Sequence, residues 1–413
     1  MDLQITPKKL SGSVTPPPSK SIAHRLLIAA ALSQGISTIS NLADSQDIQA
    51  TCRCLSALGA RIDALSPGTL RIQGLGNAIA EADPAPILDC GESGSTLRFL
   101  IPLALLVNGS AQFTGHGRLM QRPLKPYEEL FREKGIAWEL KDGVLTVDGR
   151  QGPGSRPLSP GEYRLPGNVS SQFFTGLLFV LPLLGGDSTL VPTTPLESRG
   201  YIEMTRQAME QAGVVSQWQG NNLHIPGNQH YRPFQAAVEA DWSQAAFWYA
   251  AIALGSQVEL AGLNAFSTQG DMAVVSHFLR LTQPGDLDID VSNIPDLLPP
   301  LAVMAAVHSG TTRFVNAARL RMKESDRLST VCAMLTALGC RCQEGPDSLT
   351  VSGGSLSGGT VDGANDHRIV MAAAIAATAC AGPVIIRGTQ AVSKSYPDFW
   401  EVYQGLGGDI HVL

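Results

Sequence analysis

The chain of 413 residues carries 30 Lys and Arg against 36 Asp and Glu, a net charge of −6, and 44% of it is apolar. That length is too great for one ordinary core and predicts two domains, while a mean hydropathy of +0.06 predicts a soluble globular chain. The acidic balance excludes nucleic acid as the main partner, because a phosphate backbone needs a broad basic surface, but it leaves room for a local basic pocket around a small anion.

In chain order, the start Met1-Asp2-Leu3-Gln4 shows no apolar signal segment, which predicts a cytoplasmic protein. Lys8 to Lys20, with Pro16, Pro17 and Pro18 in succession, reads as a stiff extended crossing, since proline fixes φ and favours extended neighbours. From there the sequence repeats itself. A small-residue helix ending at Gly, a short strand, a charged or Pro-bearing loop, an amphipathic helix and a Gly before another strand recur. The copies cover residues 26–63, 99–140, 177–218, 250–281, 301–345 and 372–413, with the last strand of the fourth indistinct. The first helix of each copy is Ala/Leu-rich almost all round and is expected to be buried, and the second is expected at the surface. Helices alternating with strands predict an α/β architecture, three copies to a domain. The break falls near Ala236–Asp241, giving one domain over residues 15–236 and another from 1–14 plus 237–413.

Two features have bland readings. The uncharged run Ile369 to Ile386 is Ala-dominated and broken by Gly382-Pro383, so a core helix followed by a strand explains it better than a membrane span. The seven cysteines lack finger-like spacing with His, which predicts free thiols and no metal site.

The repeat junctions carry cations and hydroxyls. Lys20, Ser21 and Arg25 open the first helix, and Gly91-Glu92-Ser93-Gly94-Ser95 with Arg98 opens the next buried one. Arg118 and Arg122-Pro123, Val169-Ser170-Ser171-Gln172, and Ser198-Arg199-Gly200-Tyr201 follow. The second half supplies Asn293-Ile294-Pro295-Asp296, the run Arg319 to Arg327, Asn365-Asp366-His367-Arg368 and Lys394. Loops that bring charge to helix N-termini are natural anion sites. Individually each also reads as a cap or a solvated ion pair; Ser325 and Asp326 read as caps for a helix starting at Arg327, and Arg319 and Arg321 as structural. No phosphate-binding loop of the G-x-x-x-x-G-K-[ST] type occurs, so ATP is not indicated.

Together these segments resemble the 5-enolpyruvylshikimate-3-phosphate synthase family, the enolpyruvyl transferases of the shikimate pathway. The resemblance rests on P-x-S-K-S-x-x-x-R at Pro17–Arg25, G-x-x-G-x-x-x-R at Gly91–Arg98, R-x-x-x-R-P at Arg118–Pro123 and V-S-S-Q at Val169–Gln172. It rests further on the Pro295-Asp296 pair, R-x-K-E-S-D-R at Arg321–Arg327 and N-D-H-R at Asn365–Arg368, collinear over nearly the whole chain. It implies a two-domain inside-out α/β barrel fold of three βαβαββ-type repeats per domain around buried helices, with the active site in the cleft between the domains.

The reaction so implied joins phosphoenolpyruvate (PEP) to the 5-hydroxyl of shikimate 3-phosphate and releases phosphate through a tetrahedral intermediate. By resemblance, Lys20, Ser21, Arg25, Ser170, Ser171, Gln172, Ser198, Tyr201, Asp296 and Lys323 hold shikimate 3-phosphate. Lys20, Gly94, Arg122, Gln172, Arg327, Arg368 and Lys394 hold PEP. Asp296 is the implied base, Glu324 the implied proton donor to the methylene carbon, and Lys20 a competing proton carrier. Neither metal nor cofactor is expected, and the partners are two small-molecule substrates of a cytoplasmic monomer, with no nucleic acid and no membrane. Glu92, Ser95 and Phe99 depart from the family's commoner Asn, Thr and Pro. The alternatives are the sister enolpyruvyl transferase acting on UDP-N-acetylglucosamine, whose usual loop cysteine is missing from Gly115–Arg122, and a non-catalytic anion-binding protein.

Overall fold

The computed structural model describes residues 1–76, 85–150 and 157–413. Among them the chain builds twelve α-helices. The first six are α1 (Lys20–Leu32), α2 (Gln46–Ala57), α3 (Gly94–Asn108), α4 (Lys125–Glu133), α5 (Ser171–Val180) and α6 (Arg199–Gln211). The others are α7 (Trp242–Ala253), α8 (Val274–Leu281), α9 (Leu298–Ala305), α10 (Arg327–Ala337), α11 (His367–Ala377) and α12 (Phe399–Gly405). Odd-numbered helices are the buried members of each repeat, and every residue of α9 and α11 is buried. Even-numbered helices bury one face only: α4 turns Tyr127, Leu130 and Phe131 inward. Its outer face carries the i,i+4 pairs Lys125–Glu129 and Arg132–Glu128, which contribute only a few tenths of a kcal/mol. The stretch Ile369 to Ile386 is the rest of α11 followed by the strand Val384–Arg387, and no described helix is long and apolar enough to cross a membrane.

The strands give the repeat its sheet. Ile87–Asp89 runs parallel to Ser110–Thr114 across α3; Ser110–Thr114 then pairs antiparallel with Val144–Asp148, which pairs antiparallel with Ala137–Lys141. That is a βαβαββ unit, and the same order of one parallel and two antiparallel pairings recurs in five four-stranded sheets. Three copies borrow a strand from a distant part of the chain. Gln235–Ala237 supplies the parallel strand beside Ile36–Ser40, and Leu3–Thr6 lies between Val384–Arg387 and Asp409–Val412. The fourth copy, whose last strand the sequence left indistinct, has a two-stranded sheet of Ser11–Val14 parallel to Gln257–Leu260. Among the described residues it has neither of the two antiparallel strands found in the other five sheets.

Two compact units result, one of residues 18–238 and the other of 1–17 plus 239–413. Each has its own core. In the first, α5 approaches α3 closely enough that a Cβ on Gly176 would stand 2.6 Å from the Arg98 carbonyl oxygen. In the second, Trp248, Tyr396, Phe399, Trp400 and Tyr403 stack between α7 and α12.

Candidate active site

Within unit 18–238 the N-terminal ends of α1, α3 and α5 are capped by Ser19, Ser93 and Ser170, whose hydroxyls accept from backbone N–H groups of the first turn. Serine satisfies a donor without adding charge, so the positive ends of the three helix dipoles stay uncompensated. Cations are added to them. Lys20 Nζ pairs with Asp47 Oδ2 on α2 at 2.7 Å. Arg25 is 2% exposed and is held rigidly: Nε donates to Thr205 Oγ1 at 2.8 Å, Nη2 to the Tyr201 carbonyl at 2.9 Å and Nη1 to the Ser21 carbonyl at 2.6 Å. Burial lowers its pKa to about 10, still far above neutrality. Ser21 stands at the second position of α1 beside Lys20, and Ser171 is the buried first residue of α5.

Gln172 is fixed at both ends of its amide. Its oxygen accepts from Arg98 Nη1 at 2.6 Å and its nitrogen donates to Ser95 Oγ at 2.9 Å. Arg98 also donates to the Pro123 carbonyl, tying the Arg122-Pro123 loop to α3. Arg122 passes so close to the start of α3 that a Cβ on Gly94 would lie 2.4 Å from its Nη1. Only glycine permits that approach. Ser198, which precedes α6, is buried with φ 57°, a left-handed conformation that non-glycine residues adopt at a cost of roughly 1–3 kcal/mol.

In unit 1–17 plus 239–413 the corresponding helix starts are marked by carboxylates in place of serines, with cations gathered around them. Asp241 caps α7, Asp366 caps α11, and Asp296 lies in the short turn Pro295–Leu297 that leads into α9. Arg327 is 1% exposed and every nitrogen of its guanidinium meets a carboxylate. Nε bonds Asp366 Oδ2 at 2.9 Å, Nη1 bonds Asp296 Oδ1 at 2.8 Å and Nη2 bonds Glu324 Oε2 at 2.6 Å. Asp296 also receives Lys323 Nζ at 3.3 Å and Arg368 Nη2 at 3.1 Å. Burial alone would raise the Asp296 carboxyl, but Arg368, Lys323 and Arg327 together hold it well below the usual carboxylate range. Burial lowers Lys323, and Asp296 partly offsets that. Arg368 further donates to Ser243 Oγ at 2.9 Å, and Lys394 Nζ to the Asn365 carbonyl at 2.7 Å.

The residues singled out in sequence therefore fall into two groups. Lys20, Ser21, Arg25, Gly94, Arg122, Ser170, Ser171, Gln172, Ser198 and Tyr201 belong to unit 18–238, and Asp296, Lys323, Glu324, Arg327, Arg368 and Lys394 to unit 1–17 plus 239–413. One cap expectation fails. Asp326 caps α10 by accepting from Ser329 N, whereas Ser325 turns away and donates to Asp366 Oδ2 at 3.0 Å. Arg319 and Arg321 are structural as expected: they bind the Ser292, Gly345 and Pro346 carbonyls and Asp326. Sequence reasoning missed Asp47 and gave no role to Arg98 or Asp366. Asp366 stood in plain view inside Asn365–Arg368, but its partner Arg327 is 39 residues away. The three departures also have places: Phe99 lies 5.2 Å under the Arg25 guanidinium, Ser95 holds Gln172, and Glu92 lies against Gly117. All seven cysteines are free thiols.

A profile described as EPSP synthase (3-phosphoshikimate 1-carboxyvinyltransferase) matches residues 5–403. The 3-phosphoshikimate 1-carboxyvinyltransferase of Clostridium perfringens strain 13 is 44% identical, covering 98% of each chain. That of Clostridium kluyveri is 42% identical over 99% of this chain and 98% of its own. Among solved structures, EPSP synthase from Acinetobacter baumannii is 24% identical with a TM-score of 0.80 over the whole of both chains. The enolpyruvyl transferase NikO from Streptomyces tendae is 18% identical with a TM-score of 0.77, covering 99% of this chain and 98% of its own. Both share the fold.

Proposed function

Because the chain belongs to the EPSP synthase family and is a transferase that moves the enolpyruvyl group of PEP to the 5-hydroxyl of shikimate 3-phosphate, releasing phosphate, we propose how its residues divide the work. Unit 18–238 receives anions. Ser21, Arg25, Ser170, Ser171 and Ser198 hold shikimate 3-phosphate, with Gln172 and Tyr201 against the ring; guanidinium and hydroxyl donors match phosphate oxygens. Lys20, Gly94, Arg122 and Gln172 are assigned to PEP, as are Arg327, Arg368 and Lys394. Lys323 and Asp296 contribute to shikimate 3-phosphate. The observation that carries this division is the contrast between three serine-capped helix ends and a pole built on Asp241, Asp296 and Asp366.

The chemistry follows from who holds Asp296. With three cations around it the carboxylate is ionised and a weak base. Substrate anions that engage Lys323 and Arg368 take countercharge from Asp296, raise its proton affinity and let it accept the 5-hydroxyl proton. Attack of that oxygen on the enol carbon of PEP, with a proton delivered to the methylene carbon, gives the tetrahedral adduct. Its collapse expels phosphate and removes a proton from the methyl group. Glu324 is the donor to the methylene carbon, and any shift of Arg327 toward PEP weakens its 2.6 Å contact with the Glu324 carboxyl and frees that group for proton transfer. Lys20, beside the leaving phosphate, is the second proton carrier. Fixed donors aimed at developing charge supply the remaining stabilisation. We read the working form as a cytoplasmic monomer, since one chain supplies every residue assigned.

Inorganic-phosphate release from PEP and shikimate 3-phosphate tests the assignment, with UDP-N-acetylglucosamine as the contrasting acceptor. Phosphate release is expected with the shikimate ester alone. Release with the nucleotide sugar alone would reject the acceptor, and none with either would reject the enzyme.

A further inference from the structure

Three buried side chains of unit 18–238 have no part in these roles, His24 on α1, Thr51 on α2 and Thr96 at the start of α3, and they lead to the cap residue Ser93. Their polar atoms form one line. His24 Nδ1 lies 2.8 Å from Thr51 Oγ1, Thr51 Oγ1 lies 2.7 Å from Thr96 Oγ1, and Thr96 Oγ1 donates over 2.7 Å to Ser93 Oγ. Each of the four residues is at most 1% exposed.

A hydroxyl has a single proton to donate, and that sets the polarity of the line. Thr96 gives its proton to Ser93, so it accepts from Thr51. Thr51 then has none left for His24 and must accept from Nδ1–H. The imidazole is therefore the neutral Nδ1–H tautomer, and its Nε2, buried with no hydrogen-bond partner, is a bare lone pair. The other tautomer would bury an N–H donor without an acceptor and leave Thr51 and Thr96 facing each other with no proton between them, both costly. Burial, Lys20 and Arg25 all push the ring toward neutrality.

We infer that His24 is a positioning residue for the PEP side of the reaction: through Thr51 and Thr96 it fixes the first turn of α3, which carries Gly94 and Ser95, to the first turn of α1, which carries Lys20. The inference rests on the assignment of Gly94 and Lys20 to PEP. Without the middle of the line the start of α3 can shift against Lys20. The contacts of Arg25 with Thr205 and Tyr201 lie on α6 and persist. Loss of the line should accordingly appear in PEP binding and spare shikimate 3-phosphate.

The test uses the full chain. Long-range proton–nitrogen correlation of the wild-type histidine rings is expected to show His24 with a protonated Nδ1 and a bare Nε2. Thr51→Val keeps the shape and deletes the hydroxyl; the KM for PEP should rise about tenfold, with kcat and the KM for shikimate 3-phosphate within about twofold. Thr51→Ser should restore most of the loss, and Thr96→Val added to Thr51→Val should cost little more, because both cut the same line. An Nε2–H tautomer or an imidazolium in the wild type overturns the inference whether or not the variants fold, and so does an unchanged KM for PEP in Thr51→Val. A wild type that releases no phosphate from its two substrates would instead overturn the activity.

Discussion

Gly94→Ala isolates one contact without touching the core. The new Cβ would sit 2.4 Å from Arg122 Nη1, whereas ordinary contact starts at 3.4 Å, so the guanidinium must retreat by about an ångström. Arg98 Nη1, at 3.5 Å, needs no adjustment. The atom displaced is the far end of a flexible side chain, so the fold should persist, and alanine in place of glycine in a helix is worth up to about 1 kcal/mol. A charge-assisted hydrogen bond from Arg122 to PEP is worth about 1.5–3 kcal/mol. Losing it predicts a KM for PEP higher by about 10- to 150-fold, with an unchanged KM for shikimate 3-phosphate and an unchanged or slightly raised Tm. The assay is steady-state phosphate release with PEP varied at saturating shikimate 3-phosphate, repeated in Arg122→Ala and in the double variant. If displacement of Arg122 is the cause, Gly94→Ala should cost almost nothing in the Arg122→Ala background. A KM for PEP within twofold of wild type, or full additivity, would refute the reasoning.

Asp296→Asn and Glu324→Gln should each lower kcat by about 10²–10⁴-fold with an unchanged far-UV circular dichroism spectrum; near-wild-type turnover would remove that residue from the chemistry. Asp366 is fully buried between Arg327, Ser325 and the α11 N-terminus, so Asp366→Ala should destabilise the protein by about 3–5 kcal/mol, measured by urea unfolding. Acid should act through the same cluster. Burial opposes the charge of Asp296 and Asp366, but their cation partners hold both carboxyls below the usual range. The folded value is thus below the unfolded one, and the stabilisation is full above about pH 4 and lost as pH falls through the lowered folded values. The stability of Asp366→Asn should fall less steeply than that of wild type between pH 5 and 3, and equal slopes would contradict this.

The buried helices were legible because Ala/Leu-rich runs ending in Gly repeat six times, and α11 shows that pattern without a charged residue beyond Arg368. The return strands were not. Thr69–Gln73 and Val144–Asp148 are five residues each with mixed polarity, and only pairing with Ile36–Ser40 and Ser110–Thr114 gives them a face to bury. Cations of the site stood out by type and spacing. Their bonding did not, because partners lie far along the chain: Lys20 meets Asp47 27 residues on, and Arg98 meets Gln172 74 residues on. Arg327 shows the limit best. Sequence assigns it to PEP, yet in this structure it is the hub of three carboxylates, and it can serve PEP only by loosening them.

The cap residues of the buried helices have a consequence for how such a chain could diversify. Both units are the same supersecondary block repeated, and their interiors impose no sign of charge. That sign is written at a few positions where helices begin, Ser19, Ser93 and Ser170 on one side and Asp241 and Asp366 on the other. Electrostatic character is thus separable from architecture. After duplication of an ancestral unit, exchanging a handful of cap side chains together with their buried partners could turn an anion receiver into a proton-handling half while leaving the order of α1, α3 and α5, or of α7, α9 and α11, unchanged.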